Sequence, residues 1–260
     1  MERMKNRAIE IHILSGHNGA GKSLYFSFLS PLPEYSGPEV FKASKDTIYV
    51  RYYGNRTGRQ PKDNEDGYLA VYNAITPADR LYTDELLRVD VERAILVDNA
   101  RRVLLDVVMR TRRYHQDPFM KMVNRVEKWL QRIDADRAVM QGFLSPNLPS
   151  KVRVRVVLLF SDFEAVLRRM NARRDRAQTD WKIAPSFVES TMGFQIPRAY
   201  PFLAINTSNE SSAADENRKQ EIVRFFTGDD PPPKLMEDRA REARRCIADI
   251  KRNTRKLMND

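Results

Sequence analysis

The eight residues Gly16-His17-Asn18-Gly19-Ala20-Gly21-Lys22-Ser23 follow the spacing G-x-x-x-x-G-K-[ST]. They lie between an apolar, β-branched run, Ile9 to Ser15, and a segment predicted to begin a helix near Lys22. Strand, glycine loop and helix in that order are the context in which this spacing carries chemistry. Glycines let backbone N–H groups converge on the β-phosphate of a nucleotide at the amino terminus of a helix. Lys22 reaches the γ-phosphate, and the Ser23 hydroxyl is a Mg²⁺ ligand. His17 and Asn18 are variable positions, predicted to act through backbone alone, and Ala20 completes the binding set Gly16 to Ser23. The motif implies ATP with Mg²⁺ and does not say what is done with it.

Beyond the loop, Pro31, Pro33 and Gly37 break the chain. Glu39 to Ala43 and Thr47 to Tyr53 each have short strand-like character, and one of them should be the second strand. Gly54 to Gly67 is polar and glycine-containing and reads as an exposed loop. From about Thr83 to Ile133 apolar residues recur at three and four (Leu86, Val89, Ala94, Val97, then Val103, Leu104, Val107, Val108), predicting a helical insertion of two or three segments. Ala138 to Leu144, Val152 to Phe160 and Phe202 to Asn206 read as strands, with an Arg-rich helix from about Asp162 between the last two. Strands alternating with helices predict an α/β fold, a parallel sheet with helices on both faces. Pro231-Pro232-Pro233 then marks a boundary, giving a domain over 1–228 and a Pro-led basic helix over 229–260. That helix reads either as docked on the surface or as a nucleic-acid-contacting appendage.

The single cysteine, Cys246, excludes an intramolecular disulfide, and with three histidines in the chain no zinc framework can be assembled around it. A reducing cytoplasm is expected, the host's if the protein is viral. No run approaches the roughly 18 to 20 apolar residues of a spanning helix, so no membrane partner is expected. With 45 Lys and Arg against 35 Asp and Glu the net charge is +10. Arginine predominates in that surplus, which fits either a polyanionic partner or a solvated basic surface.

Hydrolysing NTPases usually hold Mg²⁺ with an acidic residue that closes an apolar strand. The best such strand, Val156 to Phe160, reaches Asp162 only after Ser161, a poor fit. The helix after it carries Arg168, Arg169, Arg173, Arg174 and Arg176. That density suits a clamp on a transferring phosphoryl group, with Arg173 its catalytic member, although an exposed basic face reads the same way.

On the loop Gly16 to Ser23, the Arg168 to Arg176 segment and Ile205-Asn206-Thr207-Ser208, the chain resembles the small-molecule and nucleotide kinase branch of the phosphate-loop proteins. That branch includes thymidylate kinases, zeta-toxin-like kinases and polynucleotide kinases. The resemblance covers most of residues 9 to 226, with the loop as its specific motif, and the middle, 54 to 135, departs from it. It implies a lid at the Arg-rich helix and an adenine-side loop at Ile205 to Ser208. It also implies a carboxylate base at the end of the second strand, for which Asp46 is the candidate. Asp136-Arg137 resembles the Asp-Arg pair of thymidylate kinases but precedes its strand, and a charged helix end is its other reading. Arg51, Arg56 and Arg59 could reach a substrate phosphate, or they belong to a solvated loop.

An extended basic face suits a DNA strand better than a free nucleotide, because each neutralised phosphate releases counterions. The surplus charge and the Arg110-Thr111-Arg112-Arg113-Tyr114 cluster favour a polymer. Tyr49, Tyr52, Tyr53 and Tyr114 could stack an extruded base or belong to the core. In size and layout the chain is similar to phage kinases that phosphorylate 5-hydroxymethyluracil in DNA during thymidine hypermodification. Deoxynucleotide or nucleotide-sugar kinases, and an NTP-hydrolysing nucleic-acid-binding protein, are the alternatives.

Overall fold

The computed structural model describes residues 8–44, 47–48, 51–52, 77–107, 123–128, 131, 151–177, 191–192, 194, 196, 200 and 202–259. Among these residues five parallel strands form one sheet: β1 (Ile9–Gly16), β2 (Val40–Ser44), β3 (Arg102–Val107), β4 (Val152–Phe160) and β5 (Phe202–Asn206). Their spatial order is β2-β3-β1-β4-β5. The strand that feeds the glycine loop therefore lies at the centre, with Leu14 facing Asp106 on one side and Val157 on the other. Parallel strands need crossovers, and helices cover both faces, as the sequence alternation predicts.

On one face Ile9, Ile11 and Ile13 of β1 meet Leu87, Val91 and Ile95 of α2 (Pro77–Leu96) and Val126 of the helical segment 123–128. Leu87, Val91 and Ile95 recur every four residues, one stripe of a helix. The same face continues over β4 and β5, where Leu158, Phe160 and Ala204 pack on Ala243 and Ile247 of α5 (Pro233–Asn259). Proline opens α5 at a position where no intrahelical N–H is needed. The opposite face sets Leu14, Leu104, Val157 and Leu159 against Tyr25 and Leu29 of α1 (Lys22–Leu29) and Ile222 and Phe225 of α4 (Ser212–Thr227). Removing one of these fully buried aliphatic side chains down to Ala costs about 2–5 kcal/mol. Among the described residues no helix is long and apolar enough to cross a membrane.

Two local expectations are corrected. The stretch from Thr83 to Ile133 is not helical throughout: α2 ends at Leu96, Asn99 turns the chain with φ 62°, and Arg102–Val107 is a strand between β2 and β1. A strand covered on both faces is apolar at successive positions, so Val103, Leu104 and Val107 satisfy helical spacing equally well. Residues 47–48 and 51–52 are helical and not extended. Ser44 and Thr47 exchange backbone-to-hydroxyl bonds, each hydroxyl accepting the other's N–H at 3.1 Å, a reciprocal cap that turns the chain out of β2 into helix. The strand expected at Ala138 to Leu144 lies outside the described residues. The Arg-rich helix is α3 (Phe163–Ala177), and the Asp162 carboxylate caps it by accepting the Ala165 N–H at 2.7 Å.

Candidate phosphate-binding site

The loop leaves β1 at the carboxyl edge of the sheet, where the switch point of a parallel sheet opens a crevice. Gly16 is fixed by space, since a Cβ there would lie 2.4 Å from the Leu159 carbonyl oxygen. Gly19 and Gly21 are fixed by conformation, with φ of 81° and 86°. Gly21 hands the chain to α1, so the first free N–H groups of that helix face the loop. The Lys22 ammonium folds back over the loop and donates to the His17 carbonyl at 3.2 Å.

Beneath the loop, the Ser23 hydroxyl donates to Oδ2 of Asp106 at 3.1 Å. Asp106 is the fifth residue of β3 and is buried, whereas Ser23 is exposed at the start of α1. An acidic residue thus does stand next to last in an apolar strand beside the loop. The reading of Val156 to Phe160 as the best such strand is corrected by Arg102-Val103-Leu104-Leu105-Asp106, hidden inside the segment read as helix. The signal available was the unbroken apolar triplet after the turn residues Asp98-Asn99.

His17 does more than lend its backbone. Its ring is buried; Nε2 accepts the Ser161 N–H at 3.1 Å while Nδ1–H donates to the Asn18 carbonyl at 2.8 Å. Those two bonds fix the tautomer and tie the loop to the end of β4. Burial, with the nearby Lys22 and Arg169 cations, pushes the imidazole down to about 4, so it is neutral at physiological pH.

Two further side chains hold the loop from the far side. Arg169 of α3 donates to the Gly19 carbonyl at 2.7 Å, to both the hydroxyl and the carbonyl of Thr207, and pairs with Glu210 at 2.9 Å. The Thr207 hydroxyl lies 3.1 Å from the carbonyls of both Ala20 and Phe160, donating between them. The Gly19 and Ala20 carbonyls are thus held by side chains from α3 and from the end of β5.

Among the other expected residues, Arg173 is in α3 but its side chain lies outside the described residues, as do Asp46, Asp136, Arg137, Arg56, Arg59, the 110–114 cluster, Tyr49 and Tyr53. Arg168 is exposed. Arg51 and Tyr52 both bind Asp90 of α2, at 2.9 Å and 2.6 Å. Of Ile205 to Ser208, Thr207 supports the loop and Asn206 donates to Glu242 of α5 at 2.7 Å.

No protein-family model matches the chain, and no curated protein is similar to it in sequence. Among solved structures, it is similar to a candidate kinase from Chloroflexus aurantiacus at 13% identity, over 85% of this chain and 99% of that one, with a TM-score of 0.42. A sugar kinase from Janibacter is 12% identical over 83% and 95% of the two chains, TM-score 0.44. A protein from Thermus thermophilus is 16% identical over 84% and 96%, TM-score 0.36. The chain itself has a parallel α/β fold with a glycine-rich loop at the end of its central strand.

Proposed function

We propose that the protein is an ATP- and Mg²⁺-dependent phosphotransferase acting on a hydroxyl of a nucleotide or nucleic acid, with 5-hydroxymethyluracil in phage DNA as the leading acceptor. The observation that carries the reading is the Ser23–Asp106 hydrogen bond beneath a glycine loop whose Gly19 and Ala20 carbonyls are held by Arg169 and Thr207. A hydroxyl and a carboxylate are hard oxygen donors of the kind Mg²⁺ takes beside phosphate oxygens, so the residues present fit the ion. Bound there, it would neutralise charge on the β- and γ-phosphates. Lys22 would leave the His17 carbonyl for the γ-phosphate. The acceptor oxygen would bond to the γ-phosphorus as the bridging P–O bond to ADP breaks, its proton passing to a carboxylate, for which Asp46 remains our candidate. Arg168 and Arg173 are the lid cations of this reading, on a helix whose base Arg169 anchors to the loop.

The net charge of +10 supports a DNA acceptor over a free nucleotide, and the protein would then work in the cytoplasm of an infected host. A small-molecule kinase is the nearest alternative. Asp106 near the end of β3 favours a second reading, hydrolysis without transfer, because that carboxylate serves either chemistry.

The test offers γ-labelled ATP with hydroxymethylated DNA, plain DNA, deoxynucleotides and nucleotide sugars. Label on hydroxymethylated DNA alone supports the leading acceptor, and label on a small molecule moves the reading to the alternative. Release of inorganic phosphate with no labelled acceptor replaces transfer by hydrolysis. Binding to DNA should also weaken by orders of magnitude between about 50 and 200 mM salt.

A further inference from the structure

The opposite edge of the sheet, where the strands begin, breaks the apolar pattern in one place. A strand buried on both faces is expected to be apolar throughout. On the face covered by α1 and α4, Leu14, Leu104 and Val157 obey that rule near the phosphate loop. Toward the strand starts the same face carries Glu10 and His12 on β1, Arg102 on β3, and Arg153 and Arg155 on β4. These are neighbours by register: Glu10 lies between Arg102 and Arg153, and His12 lies beside Arg155. Five polar side chains thus converge on three adjacent strands. Local rules of this kind are broken chiefly where a protein has a site to build.

The residues line a cavity of about 180 Å³, walled by the turn Leu32–Tyr35 and by Val223 and Phe226 near the end of α4. His12 is buried and stacks on Phe226, ring centroids 4.5 Å apart. Its Nδ1 is 2.6 Å from the Tyr35 hydroxyl, and burial keeps both the phenol protonated and the imidazole neutral. The phenol therefore donates to Nδ1, and the ring proton sits on Nε2, which faces Glu10 at 3.7 Å, beyond hydrogen-bond reach. Among the described residues, the buried Nε2 has no hydrogen-bond partner. The same is true of Nε of Arg102, whose Nη1 is occupied by the Glu34 carbonyl. Arg153 is matched by Glu10 at 3.6 Å and Arg155 by Asp230, whereas Arg102 has no carboxylate partner among the described residues. Buried donors left unpaired are rare and call for an explanation.

We propose that this cavity is a second ligand site, taking an oxyanion group, phosphate or carboxylate, carried by a small metabolite. Arg102 Nε and His12 Nε2 are its donors, and the Glu10 carboxylate accepts from a hydroxyl or amine of the same molecule. The strands run the whole depth of the sheet between this cavity and the phosphate loop, so the two sites are distinct. The inference does not rest on the phosphotransfer reading.

The test uses full-length Lys22→Ala protein, in which the phosphate loop is weakened, with ¹⁵N-labelled histidine. The chain has only His12, His17 and His115, so each ring can be followed. Sodium phosphate, sodium acetate and sodium chloride are titrated separately at matched ionic strength and constant pH. A saturable shift of the His12 ring with phosphate or acetate and not with chloride is the expected result, the stronger of the two naming the preferred group. Adding Arg102→Gln should weaken that binding about ten-fold or more, the loss of one charge-assisted hydrogen bond. Arg153→Gln, at the exposed rim, should weaken it several-fold and serves if Arg102→Gln does not fold. A His12 ring that stays still, follows chloride equally, or titrates identically in the arginine variants overturns the proposal.

Discussion

The Ser23 hydroxyl reaches across 3.1 Å to the Asp106 carboxylate, joining the start of α1 to the end of β3 over 83 residues of chain. This contact makes the glycine loop more than a turn between a strand and a helix. It sets a hydroxyl and a buried carboxylate together beneath the loop, where our proposed reading puts a nucleotide's phosphates. Asp106→Asn keeps the side-chain shape and removes the charge. Turnover, transfer or hydrolysis alike, should fall by about 10² or more, with the far-ultraviolet spectrum unchanged. Lys22→Ala should lose turnover to at least the same degree, and full activity in either variant removes the nucleotide site from this loop.

His17 links stability to pH. Its folded value of about 4 lies below the ordinary 6.5, so the unfolded chain takes up the proton first as pH falls. The contribution is fully present above about pH 6.5 and is lost as pH drops toward 4, by about 3 kcal/mol at most. His12, also lowered by burial, acts in the same direction. Urea midpoints at pH 7.5 and 4.5 should differ less in His17→Gln, which cannot be protonated, than in the unaltered protein. An identical difference would assign the acid limb to other groups.

Thr207→Val removes one hydroxyl and little volume, leaving the Ala20 and Phe160 carbonyls without that donor and Arg169 without one acceptor. We expect a loss of about 1–3 kcal/mol in chemical denaturation. The Michaelis constant for the nucleotide should rise more than kcat falls, because the damage is to loop geometry. Arg169→Lys, which cannot present the same fork of donors, should show the same split. A pure kcat effect would place Arg169 at the reacting phosphate instead.

Gly16→Ala sets a methyl group 2.4 Å from the Leu159 carbonyl oxygen, and that oxygen belongs to a central strand and cannot swing away. A loss of about 2–4 kcal/mol is expected, at the upper end of overpacking effects. Thermal unfolding measures it, and a neutral outcome would mean that β1 and β4 can separate at this end.

How far all this was legible in the residues differs from place to place. Ile9 to Ser23 reads correctly because three independent signals agree: a β-branched run, glycines at fixed offsets, and a helix behind them. Val152 to Phe160 and Phe202 to Asn206 are likewise unambiguous, since each is too short and too apolar for a surface helix. Arg102–Val107 misleads because a strand buried on both faces has lost the alternation that separates strand from helix, and Asp106 was missed with it. The imidazole of His17 could not be foreseen, since its partner, Ser161, is 144 residues away and nothing local marks the pair. Thr207 is similar: the resemblance puts it in an adenine-side loop, and its bond to the Ala20 carbonyl emerges only when the fold brings the two together. Asp46 comes from the family resemblance and Arg173 from the arginine density of its helix, and both side chains lie outside the described residues.

The central position of β1 has a consequence for how the protein is made. Ile9 pairs with Val152, so the strand that carries the loop leaves the ribosome 143 residues before that neighbour exists. At about 5–20 residues per second this is roughly 7 to 30 s, an interval in which Ile9, Ile11 and Ile13 have no strand on the β4 side. Parallel pairing between distant segments is slow even once both are present. Nascent chains arrested short of β4 should therefore be clients of chaperones that hold extended apolar segments, and the loop can acquire its shape only after synthesis is well past the middle of the chain.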